Sequence, residues 1–147
     1  MLDFASLTSG ITYVGKAGPT GLAYKCYMET SFTIQDDGIL NATTKTYSNL
    51  MRIFGNGFTG GIFMTLMDTE KKNLWSSELH AFNVKAGDSR TDRWNETIPL
   101  KIFPSIKYYG IVHKHVPANH VKWFAKNQNK LFAETKENAE LIMVAKN

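Results

Sequence analysis

The chain has 147 residues, of which 43% are hydrophobic, and this size and content are typical of one domain that buries a core. Its formal charge of +4 arises in residues 101–147, where eight lysines stand against three glutamates, but the whole chain holds only three arginines, which disfavours nucleic acid as a partner. The single cysteine, Cys26, excludes an intrachain disulfide.

Short β-strand patterns follow one another through most of the chain. They cover residues 11–14, 22–34, 39–47, 62–67, 74–84, 101–103 and 106–116. Within 22–34 the apolar residues alternate, which predicts a half-buried strand, and the Asp-Asp-Gly turn at 36–38 predicts a hairpin with the next strand. The run 62–67 is apolar on both faces except at Thr65 and predicts a central strand. Residues 1–116 therefore predict an antiparallel β-sandwich or a small β-barrel of about seven to nine strands.

Charged residues alternate around an aromatic one in residues 88–94, which we interpret as a polar loop at one end of the β-structure. Arg90, Arg93 and Trp94 form a candidate binding surface there for a sugar, a carboxylate or a protein partner, because loops on a rigid β-scaffold often carry binding sites. The alternative is a solvated loop with local ion pairs, held by Trp94 at the edge of the core.

A C-terminal amphipathic helix is predicted over about residues 119–144, with Asn119 as its N-cap after Pro117. An apolar stripe should dock it on the β-structure, and its members are Val121, Phe124, Ala125, Gln128, Leu131, Phe132, Thr135, Ala139, Ile142 and Met143. With this helix the chain is expected to form a single domain over residues 1–147.

Trp123 falls outside the apolar stripe on the helical wheel, close to Lys126 and Lys130. An indole beside ammonium groups suits an anionic membrane surface or an acidic partner, so these three residues form a second candidate binding surface. In the alternative interpretation Trp123 packs on the preceding loop and the lysines only solubilise the helix.

The histidines suggest a metal site. His113 and His115 are two apart on a predicted strand and so share a face, and Glu78 with His80 repeats this geometry on another strand. Such a set could bind zinc or iron. Metal-free acid–base chemistry is a second hypothesis, with His80 oriented by Glu78 or Glu29. The alternative to both is that these are surface or hydrogen-bonded strand residues, and no cofactor is then expected.

The leading functional hypothesis is a non-catalytic binding module for a protein partner or an apolar or amphipathic ligand, since no motif for a nucleotide, a catalytic serine or a closed metal site occurs. The alternative is a pocket enzyme that uses the histidines. The N-terminal residues lack the pattern of a secretory signal and no run is long enough to span a membrane, so a soluble cytoplasmic protein is expected. A mature secreted form and a homo-oligomer both remain compatible with the sequence.

Overall fold

The computed structural model describes residues 10–51 and 57–145. Within these ranges the chain forms ten strands and one α-helix, with short 3-10 helices at Ala23–Lys25 and Leu100–Ser105. The elements are β1 Ile11–Gly21, β2 Cys26–Gln35, β3 Ile39–Ser48, β4 Phe58–Met67, β5 Asn73–Ser76, β6 His80–Val84, β7 Ser89–Thr97, β8 Tyr108–His115, α1 His120–Glu137, β9 Glu140–Leu141 and β10 Met143–Val144.

The strands form two antiparallel sheets that pack face to face. The first sheet has the order β10-β1-β2-β3-β7, and the second has the order β5-β4-β8-β9 with β6 also paired to β4. The described strands close no barrel, so the sandwich is confirmed and the barrel alternative is not adopted. The main core lies between the sheets and includes Phe32, Ile34, Leu40, Met64 and Ile111.

Local patterns predicted the centre of each sheet correctly. In β2 the side chains of Cys26, Met28, Phe32 and Ile34 are buried on one face, as the alternation indicates. The hairpin to β3 turns at Gly38, whose φ of 92° favours glycine. Residues 62–67 are all buried, and β4 pairs with β8 on one side and with β5 and β6 on the other, which confirms it as the central strand.

The predicted helix is too long at its C-terminal end. It stops at Glu137, and residues 140–144 form β9 and β10, which pair with β8 in the second sheet and β1 in the first. The Ile142 N–H donates to the Lys107 carbonyl at 2.9 Å, and its side chain packs on the main core. Ile142 and Met143, which the prediction placed in the helical stripe, thus belong to an extended segment that links the two sheets. Its backbone pairing and the packing of Ile142 outweigh helix propensity.

Three other predicted segments have a different structure. Residues 74–84 are interrupted at Ser77, whose N–H donates to the Met64 carbonyl, and so form two strands instead of one. Residues 101–103 lie in a 3-10 helix containing Pro104, which has no N–H for a strand ladder. Residues 15–21, which lie between two predicted strands, continue β1 with an irregularity between Ala17 and Thr20.

Candidate functional site

The side of α1 that faces the second sheet defines where a ligand could bind. The helix crosses β8 at Gly110, where a Cβ would overlap the carbonyl group of Thr135, so only glycine permits this approach. The sheet-facing side includes Trp123 and Leu131 but not Val121, which is 76% exposed. The face of α1 that contacts the sheet is therefore shifted toward Trp123 relative to the predicted apolar stripe. Part of the predicted stripe lies at the side of this contact face.

A groove opens between the C-terminal half of α1 and the β4–β5 hairpin, along the part of the predicted stripe that lies at the side of the contact face. We call it the lysine groove. Its volume is about 480 Å³, and it is lined by Thr65, Met67, Lys71, Lys72, Asn73, Phe132, Ala133, Thr135 and Lys136. Met67 and Phe132 give it apolar walls, while three lysines from two separate parts of the chain surround it.

The turn between β4 and β5 positions two of these lysines. The Asp68 carboxylate accepts the N–H groups of Glu70 and Lys72 at 2.8 and 2.9 Å, and the Lys71 N–H donates to the Asp68 carbonyl at 2.9 Å. Lys71 adopts a left-handed conformation, with φ of 62°. This hydrogen-bonded turn fixes the backbone from which Lys71 and Lys72 extend beside the helix.

Thr65 lies at the floor of the groove and carries a buried hydroxyl without a hydrogen-bond partner in the described parts of the chain. Its side chain lies on the helix-facing side of β4, the residue is 1% exposed, and Oγ1 has no hydrogen-bond partner among the described residues. Leaving such a group unpaired costs about 1–3 kcal/mol, so buried polar atoms in folded proteins nearly always have a partner. The hydroxyl both donates and accepts, but Oγ1 is not exposed at the groove surface, so a ligand would reach it only if the groove lining moved aside.

The lysines make the groove electropositive. Lys72 pairs with Glu70 at 3.3 Å on an exposed surface, where such a pair contributes little. Lys71 lies over the Tyr108 ring, with its Nζ 5.2 Å from the ring centroid. Neither Lys71 nor Lys136 forms an ion pair within the described parts of the chain. An anionic group would gain from both.

The predicted surface of Arg90, Arg93 and Trp94 is divided between two sides of a sheet. Residues 88–94 were predicted as a loop, but Ser89–Thr97 forms β7, in which successive side chains point to opposite faces. Trp94 points inward, is 7% exposed and donates from Nε1 to the Thr44 hydroxyl at 3.0 Å. Arg90 binds Asp92 through two hydrogen bonds of 2.7 Å and donates to the Asn83 carbonyl. Only Arg93 faces outward.

Arg93 lies in a shallow trough on the outer face of the first sheet. Two depressions of about 460 Å³ each cross this face, and they share Ser31 and Thr43. We call them together the hydroxyl trough, because most of the outward side chains along it carry a hydroxyl or amide group. These are Ser31, Thr33, Asn41, Thr43, Thr91 and Asn95.

The predicted metal ligands do not form a metal centre. Among the described residues no group of three or more histidine, cysteine, aspartate or glutamate side chains is placed to hold an ion. His113 is buried between the sheets, where its Nδ1 and Nε2 lie 2.9 and 2.8 Å from the hydroxyls of Thr20 and Thr30. Burial lowers the pKa of His113 to about 4, so the ring is neutral near pH 7. His115 stacks on Phe58 at the exposed end of β8.

His80 belongs to a different cluster from His113. Its ring stacks on Trp94 with centroids 4.1 Å apart, and its Nε2 lies 2.7 Å from a carboxylate oxygen of Glu96. The same oxygen accepts the backbone N–H of Glu78 at 3.1 Å, so Glu78 contributes backbone and not its carboxylate. The contact between His80 and Glu96 joins β6 to β7 at an edge of the sandwich, and so does the hydrogen bond from Arg90 to the Asn83 carbonyl.

The helix surface predicted to meet a membrane is also divided. Trp123 was placed outside the apolar stripe, but it is half-buried and packs on the cluster of Phe63, Val112 and Leu131. Lys126 and Lys130 are exposed. No helix among the described residues has the length and apolar character needed to cross a membrane.

Sequence reasoning missed the residues of the lysine groove. Thr65 interrupts an otherwise apolar run and was the one local signal, since a polar residue in a central strand needs a hydrogen-bond partner. Lys71, Lys72 and Lys136 carry no such signal, because about 64 residues separate the turn from the end of the helix and only the packing of α1 brings them together.

Comparisons with known proteins add a distant structural likeness. The crystal structure of Campylobacter jejuni cj0090 is similar with a TM-score of 0.38 and 12% sequence identity, over 58% of this chain and 81% of that one. No family model matches the chain, and no curated protein matches it. Similarity at this level says nothing about a ligand or an activity.

Proposed function

We propose that the protein is a non-catalytic binding module that holds a small amphipathic anion in the lysine groove. The observation that carries the proposal is the buried, unpaired hydroxyl of Thr65 in an apolar groove surrounded by lysines. A volume of about 480 Å³ lies within the range of sites for small organic ligands. Such sites combine apolar walls with a few polar groups that fix the orientation of the ligand, and this groove has both.

The groove residues indicate the chemistry of the ligand. Its apolar part would lie against Met67 and Phe132, and its anionic group would lie among the ammonium groups of Lys71 and Lys136. Thr65 would form the buried hydrogen bond. A neutral apolar molecule would leave both lysines without a counter-charge, and a strongly hydrated inorganic anion would gain nothing from the apolar walls.

The fluorescent anion 1-anilinonaphthalene-8-sulfonate tests this proposal, with dodecanoate as a competitor. Thr65→Val keeps the shape and removes the hydroxyl, and should weaken binding about fivefold, the equivalent of one hydrogen bond. Lys136→Gln should weaken it by a similar factor. Lys126→Gln is the matched control, because Lys126 lies on the same helix, is exposed and does not line the groove.

Chemical-shift mapping by NMR on the folded protein locates the bound probe and separates groove binding from binding to unfolded chain. Shifts should concentrate at residues 65–67 and 132–136. The proposal is wrong if no saturable binding occurs, or if the Thr65 and Lys136 variants bind the probe as tightly as the Lys126 control.

A further inference from the structure

We infer a second binding site, separate from the lysine groove, in which the hydroxyl trough of the first sheet binds an acidic oligosaccharide. The central part of the trough is a straight row of four residues across four strands. Lys16 on β1 pairs in register with Ser31 on β2, Ser31 with Thr43 on β3, and Thr43 with Arg93 on β7. Residues that are opposite in antiparallel strands share a face, so all four side chains belong to the outer face.

The row places a cation at each end and hydroxyls between them. Neighbouring strands lie about 4.8 Å apart, so the Cα atoms of Lys16 and Arg93 are separated by about 14 Å. The next outward row pairs Thr33 with Asn41 and Asn41 with Asn95. A linear ligand lying across the strands would thus meet hydroxyl and amide groups along its length and a positive charge near each end.

The charge of the trough selects an anionic ligand. Its charged lining residues are Lys16, Lys45, Arg93 and Glu29, a net charge of +2. The side chain of Arg93 is exposed and forms no hydrogen bond or ion pair within the described residues, whereas that of Arg90 is engaged by Asp92. A guanidinium group binds a carboxylate through two parallel hydrogen bonds, so Arg93 is suited to a uronate.

The side chains favour a saccharide over an acidic peptide. Hydroxyl and amide groups both donate and accept hydrogen bonds, which matches a ligand whose own surface consists of hydroxyls. An extended peptide usually gains its affinity by adding a strand to a sheet edge, but the residues of the trough lie on a sheet face, where the backbone groups are already paired. The two outward rows consist of hydroxyl, amide and cationic side chains.

Tetragalacturonate tests the inference by isothermal titration calorimetry, with maltotetraose as the neutral saccharide and hexaglutamate as the acidic peptide. Tetragalacturonate should bind, and Arg93→Gln should weaken it about tenfold or more, as expected for hydrogen bonds between charged groups. Thr43→Val keeps a β-branched side chain and should weaken it about fivefold. Lys101→Gln, on the exposed 3-10 helix outside the trough, should leave binding unchanged.

The inference would be overturned by no binding of tetragalacturonate, by equal binding of maltotetraose, or by equal binding of hexaglutamate. Retention of full affinity by the Arg93 variant would do the same, since the ligand would then lie elsewhere. The proposal for the lysine groove is tested independently, because the Arg93 variant should bind 1-anilinonaphthalene-8-sulfonate like the parent protein. Either site can therefore fail without affecting the other.

Discussion

Replacement of His113 by glutamine should change how the stability of the protein depends on pH. His113 is 5% exposed and its two ring nitrogens contact threonine hydroxyls, so the folded state holds the neutral ring. Its pKa falls from 6.5 to about 4 because burial disfavours the charged form. Between these values the unfolded chain binds a proton that the folded chain does not, and stability therefore rises with pH across this window.

The size of the effect follows from the two pKa values. The stabilisation that the neutral His113 provides is complete above about pH 6.5 and is lost as the pH falls toward 4. Between pH 8 and pH 5 the loss is about 2 kcal/mol for this one group. His113→Gln should cost about 1–3 kcal/mol at pH 8 through lost hydrogen bonding, but it removes the ionisable ring, so its disadvantage should shrink by about 2 kcal/mol at pH 5.

Urea unfolding followed by tryptophan fluorescence at both pH values measures this difference. Val112→Ala is the matched control, because it truncates a buried neighbour on the same strand and introduces no titrating group. Its cost should be the same at both pH values. If the free energies of unfolding of the parent and the His113 variant differ by the same amount at pH 8 and pH 5, the ring does not titrate as its burial requires, and the expected pH dependence is refuted.

Three further experiments test contacts on which the fold depends. Gly110→Ala should lower the free energy of unfolding by about 1–3 kcal/mol, because the new methyl group overlaps α1; thermal unfolding by circular dichroism measures this, and an unchanged midpoint would contradict it. Glu96→Gln and His80→Gln should show a coupling of about 1 kcal/mol in a double-mutant cycle, whereas additive losses would mean that their 2.7 Å contact contributes nothing. Tyr109→Phe should speed amide hydrogen exchange in residues 140–144, because its hydroxyl lies 2.9 Å from the Glu140 carboxylate; exchange at the parental rate would show that other contacts hold this segment.

Sequence patterns predicted the class of fold because that class depends on local alternation. The buried face of β2, the turn at Gly38 and the burial of residues 62–67 in β4 each follow from neighbouring residues. The same reasoning failed for residues 88–94, where alternating charges resemble a solvated loop. In the sandwich this segment pairs with β3 along its length, and its inward polar residues bind one another and the edge of β6.

The helix shows why a wheel projection alone does not fix a contact face. The projection weights every apolar residue equally, but the closest approach to the sheet is possible only at Gly110, a residue on a different element. That contact turns Trp123 toward the sheet and leaves Phe132 beside the groove. Trp123 was therefore assigned to the wrong side of the helix by a constraint that the helix sequence does not contain, whereas Lys126 and Lys130 are exposed as predicted.

The positions of the lysines, like that of Trp123, depend on packing that the sequence does not show, and this bears on the proposed function. Charge counted along the chain assigns the basic excess to residues 101–147 and suggests a solubilising surface, and Lys126 and Lys130 do lie exposed there. Lys136 differs from them because the end of α1 lies against the β4–β5 turn, which brings Lys71 and Lys72 from a segment of nearly balanced charge. The positive potential at the groove thus arises from residues that are distant in sequence and close in the fold, so its test must vary Lys136 and Thr65 and hold the exposed lysines constant.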